Sequence, residues 1–175
     1  LTEFVKVKYA YIAAIDGAGN ISNTVKITLP TYKITINPNG GTWRGQKTNT
    51  ELTGKQNGQQ TTIENPEREG YNFTRWTITT GTIQGTTYTN GIGNATLTAN
   101  WEAKPYTITY NLGGGTVTGN PTNYTIETQN TTLKNPTKPG HTFQGWTGSN
   151  GTTAQKTITI EKGTTGNKTY TANWK

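Results

Sequence analysis

The chain has no cysteine and no methionine in 175 residues, and only one histidine, His141. Disulfides, thiolate metal sites and catalytic thiols are excluded, and a histidine metal cluster with them. Charged residues make up 14% and hydrophobic residues 29%, against averages of about 25% and roughly 45–50%. Sparse charge argues against charge-driven disorder and long solvated helices, and sparse apolar residues predict a thin core. No 18-residue apolar run and no leader-like segment occurs, so any export or anchoring signal is expected outside this sequence.

Aromatic residues are abundant by comparison, at 10%, and 22 glycines punctuate the chain. Burial must rest on a few large rings in a β-rich, turn-rich fold. The net charge is +7, but the cations stand singly among Thr and Asn. Such scatter offers no phosphate-tracking stripe, so no nucleic-acid partner is expected.

Three sequence blocks occur twice in the same order. YKITINPNGGTW from Tyr32 corresponds to YTITYNLGGGTV from Tyr106, NPEREGYNFTRW from Asn65 to NPTKPGHTFQGW from Asn135, and LTANW ending at Trp101 to YTANW ending at Trp174. Length differences fall between blocks, as loops allow. Two modules follow, 32–101 and 106–174, joined by short proline-containing linkers. Period-two alternation at Tyr32, Ile34 and Ile36, and at Tyr106, Ile108 and Tyr110, predicts a strand opening each module. Further strands are expected at Tyr124–Glu127, His141–Thr147, Thr157–Ile160 and Lys168–Trp174. The fold class is mainly β, with at most one short helix per repeat. The Gly-Gly clusters predict turns or bulges, because no Lys-Ser or Lys-Thr pair follows as a phosphate loop requires.

Residues 1–29 belong to neither copy and predict a β-hairpin, Phe4–Ala14 and Ile21–Leu29 around the turn at Asp16–Asn20. An isolated hairpin is marginal in water. Its string YIAAIDGAGNIS resembles the last hairpin of bacterial immunoglobulin-like domains.

The repeated blocks, namely the first strand ending in Gly-Gly, the Asn-Pro step, the GYNFTRW or GHTFQGW strand and the closing TANW, resemble the Listeria-Bacteroides repeat family, the B-type repeats of internalin-like bacterial surface proteins. The resemblance implies a β-grasp-like fold and an extracellular cell-surface role as a stalk or adhesion module, without catalytic residues or cofactors. Two departures stand out: Arg75 where the second copy has Gly145, and the longer polar stretch from Arg44 to Gln60.

Titratable groups are few. Glu64, Glu67 and Glu69 form one carboxylate cluster, read as local charge balance with Arg68 rather than a glycosidase pair or calcium site. His141 matches Tyr71, which predicts a half-buried ring. Trp76, Trp146, Trp101 and Trp174 recur and are expected in the cores. Trp43 matches Val117, so Trp43, Arg44 and Gln46 form the candidate ligand-contact surface, suited to a host glycan or protein, the other reading being that Trp43 caps a small core. Lys33 and Asn100, on the first and last strands of the first copy, are the pair an isopeptide crosslink would join, although the second copy has Thr107 in place of the lysine. The expected protein is a monomeric, non-enzymatic surface repeat region, a spacer or adhesin; a carbohydrate- or protein-binding module is the alternative.

Overall fold

The computed structural model describes residues 9–175; residues 1–8, with the expected start of the first strand, lie outside the described residues. Among the described residues all regular structure is β, the short helix allowed to each repeat is absent, and no helix is long and apolar enough to cross a membrane.

Strands β1 (Tyr9–Ile12) and β2 (Val25–Thr28) pair antiparallel, from Tyr9↔Thr28 to Ile12↔Val25. The Asp16 side chain ties their connection. Asp16 Oδ1 accepts from the Ala18 and Asn20 amides at 2.9 and 2.8 Å, and Oδ2 from Asn20 Nδ2 at 2.8 Å. These bonds, the Asn20 side chain foremost, hold the Asp16 carboxyl below the usual carboxylate range. Tyr11, Ile12, Ile15, Ile21 and Val25 of this hairpin are exposed.

The first repeat contains β3 (Tyr32–Asn37), β4 (Thr50–Lys55), β5 (Gln60–Thr62), β6 (Tyr71–Ile78), β7 (Thr82–Gln84), β8 (Thr87–Thr89) and β9 (Ala95–Ala103). Its main sheet has the order β4-β3-β9-β6, and a three-stranded sheet β5-β8-β7 accompanies it. β3 is antiparallel to β4 and parallel to β9, from Ile34↔Ala95 to Asn37↔Thr98. The alternation read from sequence is real here. Ile34 and Ile36 are buried on one face with Leu97 and Ala99, and Ile63, Trp76 and Tyr88 complete the core.

The second repeat contains β10 (Tyr106–Asn111), β11 (Asn123–Tyr124), β12 (Thr131–Thr132), β13 (Phe143–Gly148), β14 (Gly151–Gln155), β15 (Thr159–Ile160) and β16 (Lys168–Trp174). Its sheet runs β11-β10-β16-β13-β14, with β10 parallel to β16, while β12 and β15 pair separately. The core is more aromatic: Trp146 is fully buried among Tyr110, Phe143 and Tyr170 rings with centroids 5.4–6.3 Å away.

Asparagines explain why both copies close alike. Asn94 Oδ1 accepts the Lys33 amide at 2.9 Å and Asn167 Oδ1 accepts the Thr107 amide at 3.0 Å, so each ties the loop before the last strand to the start of the first. The asparagine of each TANW reaches the neighbouring strand. Asn100 Nδ2 donates to Arg75 O, Thr77 Oγ1 and Thr98 O at 3.3, 2.8 and 3.2 Å; Asn173 Nδ2 donates to Gly145 O, Thr147 Oγ1 and Thr171 O at 3.1, 3.0 and 3.2 Å. The following tryptophan explains the glycine cluster. Trp174 Nε1 donates to Leu112 O at 2.9 Å, and a Cβ on Gly115 would lie 2.4 Å from the Trp174 ring. Glycine is required there by close approach of a ring, not by a phosphate.

Compact units and repeats do not coincide fully. Among the described residues one unit comprises those up to Glu67 with Phe73–Asn100, the other Arg68–Asn72 with Trp101–Lys175. Inside the latter, the Gly70 carbonyl accepts the Lys104 amide at 2.9 Å.

Candidate functional site

Trp43 is not the exposed ring expected: it is 2% exposed. Trp43 and Gln46 exchange both backbone hydrogen bonds at 2.9 Å, with Arg44 and Gly45 at φ 49° and 77° between them. Two consecutive left-handed residues make a tight turn that reverses the chain and points the indole inward. Its Nε1 donates to Glu64 O at 3.0 Å. The Ile36 and Leu97 positions of this core are Tyr110 and Tyr170 in the other repeat, and position 43 is Val117 there. Large side chains have been traded between positions while the core stays filled.

Arg44 and Gln46 are exposed. The Arg44 guanidinium lies 4.5 Å from the Trp43 ring and grips Glu64 at both carboxylate oxygens, Nη2 at 2.9 Å and Nε at 2.5 Å. The arginine hydrogen bonds hold the Glu64 carboxyl below its ordinary range. A cleft of about 280 Å³ is lined here by Thr42, Arg44, Glu64, Asn65 and Glu67. The second repeat has one of about 250 Å³ at the matching place, lined by Thr116, Thr118, Lys134, Asn135 and Thr137. Shape recurs but charge does not, because the Arg44–Glu64 pair is replaced by Thr118 and Lys134.

Glu64 of the carboxylate cluster is engaged by Arg44, while the Glu67 backbone bridges Thr42 through bonds of 2.7 and 2.9 Å. Among the described residues no group of three or more His, Cys, Asp or Glu is arranged to hold a metal. His141 is exposed rather than half-buried, with Nδ1 2.9 Å from Pro139 O, because it precedes β13 instead of opening it. Lys33 and Asn100 are not brought together. Lys33 pairs with Glu51 at 2.7 Å and lies one residue before Ile34, which faces Ala95; Asn100 is then about 20 Å along the sheet. Of the four recurring tryptophans, Trp76 and Trp146 are buried at 6% and 0% exposure, whereas Trp101 and Trp174 are half-buried.

The distinctive site lies at the outer edge of β6. A cleft of about 360 Å³ is lined there by Asn65, Phe73, Arg75, Trp76, Ile83 and Thr86. Trp76 Nε1 is buried without a hydrogen-bond partner among the described residues. Its counterpart, Trp146 Nε1, donates to Asn135 Oδ1 at 3.2 Å. Buried donors are almost always satisfied, so the orphan marks an exception. Arg75 beside it is exposed and has no ion-pair partner among the described residues. At the equivalent position Gly145 is buried with φ 139°, and a Cβ there would stand 2.7 Å from Gln155 N. β14 can lie against β13 because position 145 lacks a side chain. With arginine at 75, the following strand β7 pairs with β8 instead. Only the Arg75/Gly145 difference was visible in sequence; the orphan donor and the contributions of Ile83 and Thr86 were not.

Among curated proteins and solved structures no match is found. The Listeria-Bacteroides repeat domain matches residues 32–100 and again residues 106–173. These are the stretches that carry the repeated blocks, the parallel-centred sheets and the paired asparagine ties, and on them the chain belongs to the Listeria-Bacteroides repeat family.

Proposed function

We propose that this chain is a non-enzymatic repeat region of a bacterial cell-surface protein, serving as a stalk or adhesion module outside the cell. The observation that carries the reading is what recurs. Both copies repeat the parallel central pair, the Asn94/Asn167 and Asn100/Asn173 ties and the buried Trp76/Trp146 pair. They do not repeat their surface chemistry. A catalytic or binding role shared by the copies would require the reverse, since side chains that meet a ligand are constrained more tightly than those that merely face water. The sheet order, with the first strand central and parallel to the last, supports the β-grasp-like reading, with short strands in place of a helix. The exposed apolar residues of β1 and β2 support the reading of residues 1–29 as part of an immunoglobulin-like domain.

The test is antibody against this chain applied to intact cells of the source bacterium. Labelling that external protease removes is expected, and labelling only after lysis would overturn the proposal. Of the alternative, a module that itself binds carbohydrate or protein, the protein-binding half is favoured by the cleft beside the Trp76 indole donor.

A further inference from the structure

In the second repeat the outer edge of β13 is occupied by β14, paired antiparallel from Trp146↔Gln155 to Gly148↔Gly151. In the first repeat β6 ends its sheet, and among the described residues no strand lies beyond it. An edge strand presents unpaired N–H and C=O groups that an added extended chain can complete. We propose that the edge of β6 docks an extended acidic peptide, which joins the sheet where β14 joins it in the second repeat and sets a carboxylate against Arg75.

Several observations select that occupant. The β14 segment, Gly-Thr-Thr-Ala-Gln, shows on this same scaffold what fits such an edge: a short extended chain of small and polar residues. The cleft beside β6 contains the buried Trp76 indole N–H, which has no acceptor among the described residues. The Arg75 guanidinium is exposed with no ion-pair partner among the described residues, and the chain carries a net charge of +7. Both favour an acidic partner, which such a field also steers in solution. A second copy of the chain fits poorly, because pairing β6 with β6 brings two Arg75 cations to one seam. A glycan fits poorly too. Sugar recognition by stacking needs an open ring face, and Trp76 is only 6% exposed, tilted 58° against Phe73 at 5.3 Å.

This proposal rests on the adhesion half of the function above, but cell labelling reads location and the following experiment reads binding, so the two fail separately. The ¹⁵N-labelled 175-residue chain is titrated with the synthetic peptide Gly-Thr-Thr-Ala-Gln-Glu, in which the glutamate follows the β14 sequence and falls opposite position 75 in the β14 register. Saturable shifts of the Trp76 indole N–H and of amides 73–78 are expected. Arg75→Glu, at an exposed position, should weaken binding by about tenfold or more. The same variant should gain affinity for the peptide ending in lysine, which shows that the variant is folded and that charge sets the choice. No shift at millimolar peptide overturns the proposal, as do shifts scattered over the lysines with β6 unmoved. Shifts of β6 that depend on protein concentration without peptide would assign the edge to a second copy. Shifts of β6 produced by an acidic oligosaccharide but not by the peptide would assign it to a glycan; either result also overturns the proposal.

Discussion

The two repeats share a central sheet and differ at its margin. Around β13, position 145 is glycine, the next strand folds back alongside, and the Trp146 indole finds an acceptor in Asn135. Around β6, position 75 is arginine, the next strand leaves for another sheet, and the Trp76 indole has no acceptor among the described residues. The missing Cβ at position 145 leaves the room that β14 fills, since a Cβ there would stand 2.7 Å from Gln155 N. The cores differ in a parallel way: Ile36, Leu97 and Trp43 of the first stand where the second has Tyr110, Tyr170 and Val117. A repeat family can hold its frame fixed while redistributing bulk and edges, so identity of fold between copies does not carry identity of surface.

The largest effect expected is from Trp146→Ala. Loss of a fully buried indole should destabilise the second repeat by about 3–5 kcal/mol, while leaving first-repeat signals unchanged in a denaturant titration followed by NMR. A loss below about 1 kcal/mol would show that the ring contributes little. Next, Trp43→Val installs the residue of the other copy without its compensating tyrosines, and should cost the first repeat about 2–4 kcal/mol by the same measurement.

Exchanging the edge residues sharpens the contrast. Gly145→Arg meets both an unfavourable φ and a backbone contact, and should cost about 2–3 kcal/mol, with hydrogen-exchange protection lost along β14. Arg75→Gly should change stability by less than about 1 kcal/mol, since its side chain is exposed. Equal costs at the two positions would refute the account of why the edges diverge.

The smallest effect concerns alkali. Burial pushes the Tyr110 hydroxyl up to about 12, and burial also raises Tyr124 and Tyr170, whereas Tyr88 alone is raised by burial in the first repeat's core. The folded state therefore holds protons that the unfolded chain has released above about pH 10. Stability from these groups is complete below that pH and declines as pH rises towards 12. The second repeat should lose more than the first over this window in thermal melts followed at each repeat's own indole signals.

Much of this was legible in the sequence, for identifiable reasons. Alternation at Ile34 and Ile36 and the matched blocks gave both modules their opening strands, because those positions are buried on one side only. β14 left no signal, since all five of its residues are exposed and no alternation marks it. The match of Trp43 to Val117 points to the surface, because trading of volume among positions 36, 43 and 97 cannot be seen one position at a time. The edge site was half legible. Arg75 announced a difference, but an unsatisfied indole donor is a property of three-dimensional neighbours.

Parallel pairing of the first and last strands has a mechanical consequence. In a parallel pair the start of β3 and the end of β9 lie at opposite ends of the ladder, and the same holds for β10 and β16. Tension that enters a repeat at one terminus and leaves at the other pulls these strands past each other. The ladder bonds then strain together, whereas a pull across the sheet opens them one after another. Single-molecule stretching from the ends of a repeat should need more force than stretching from its edge strands, so each repeat is strongest in the direction in which its own chain would tug on it.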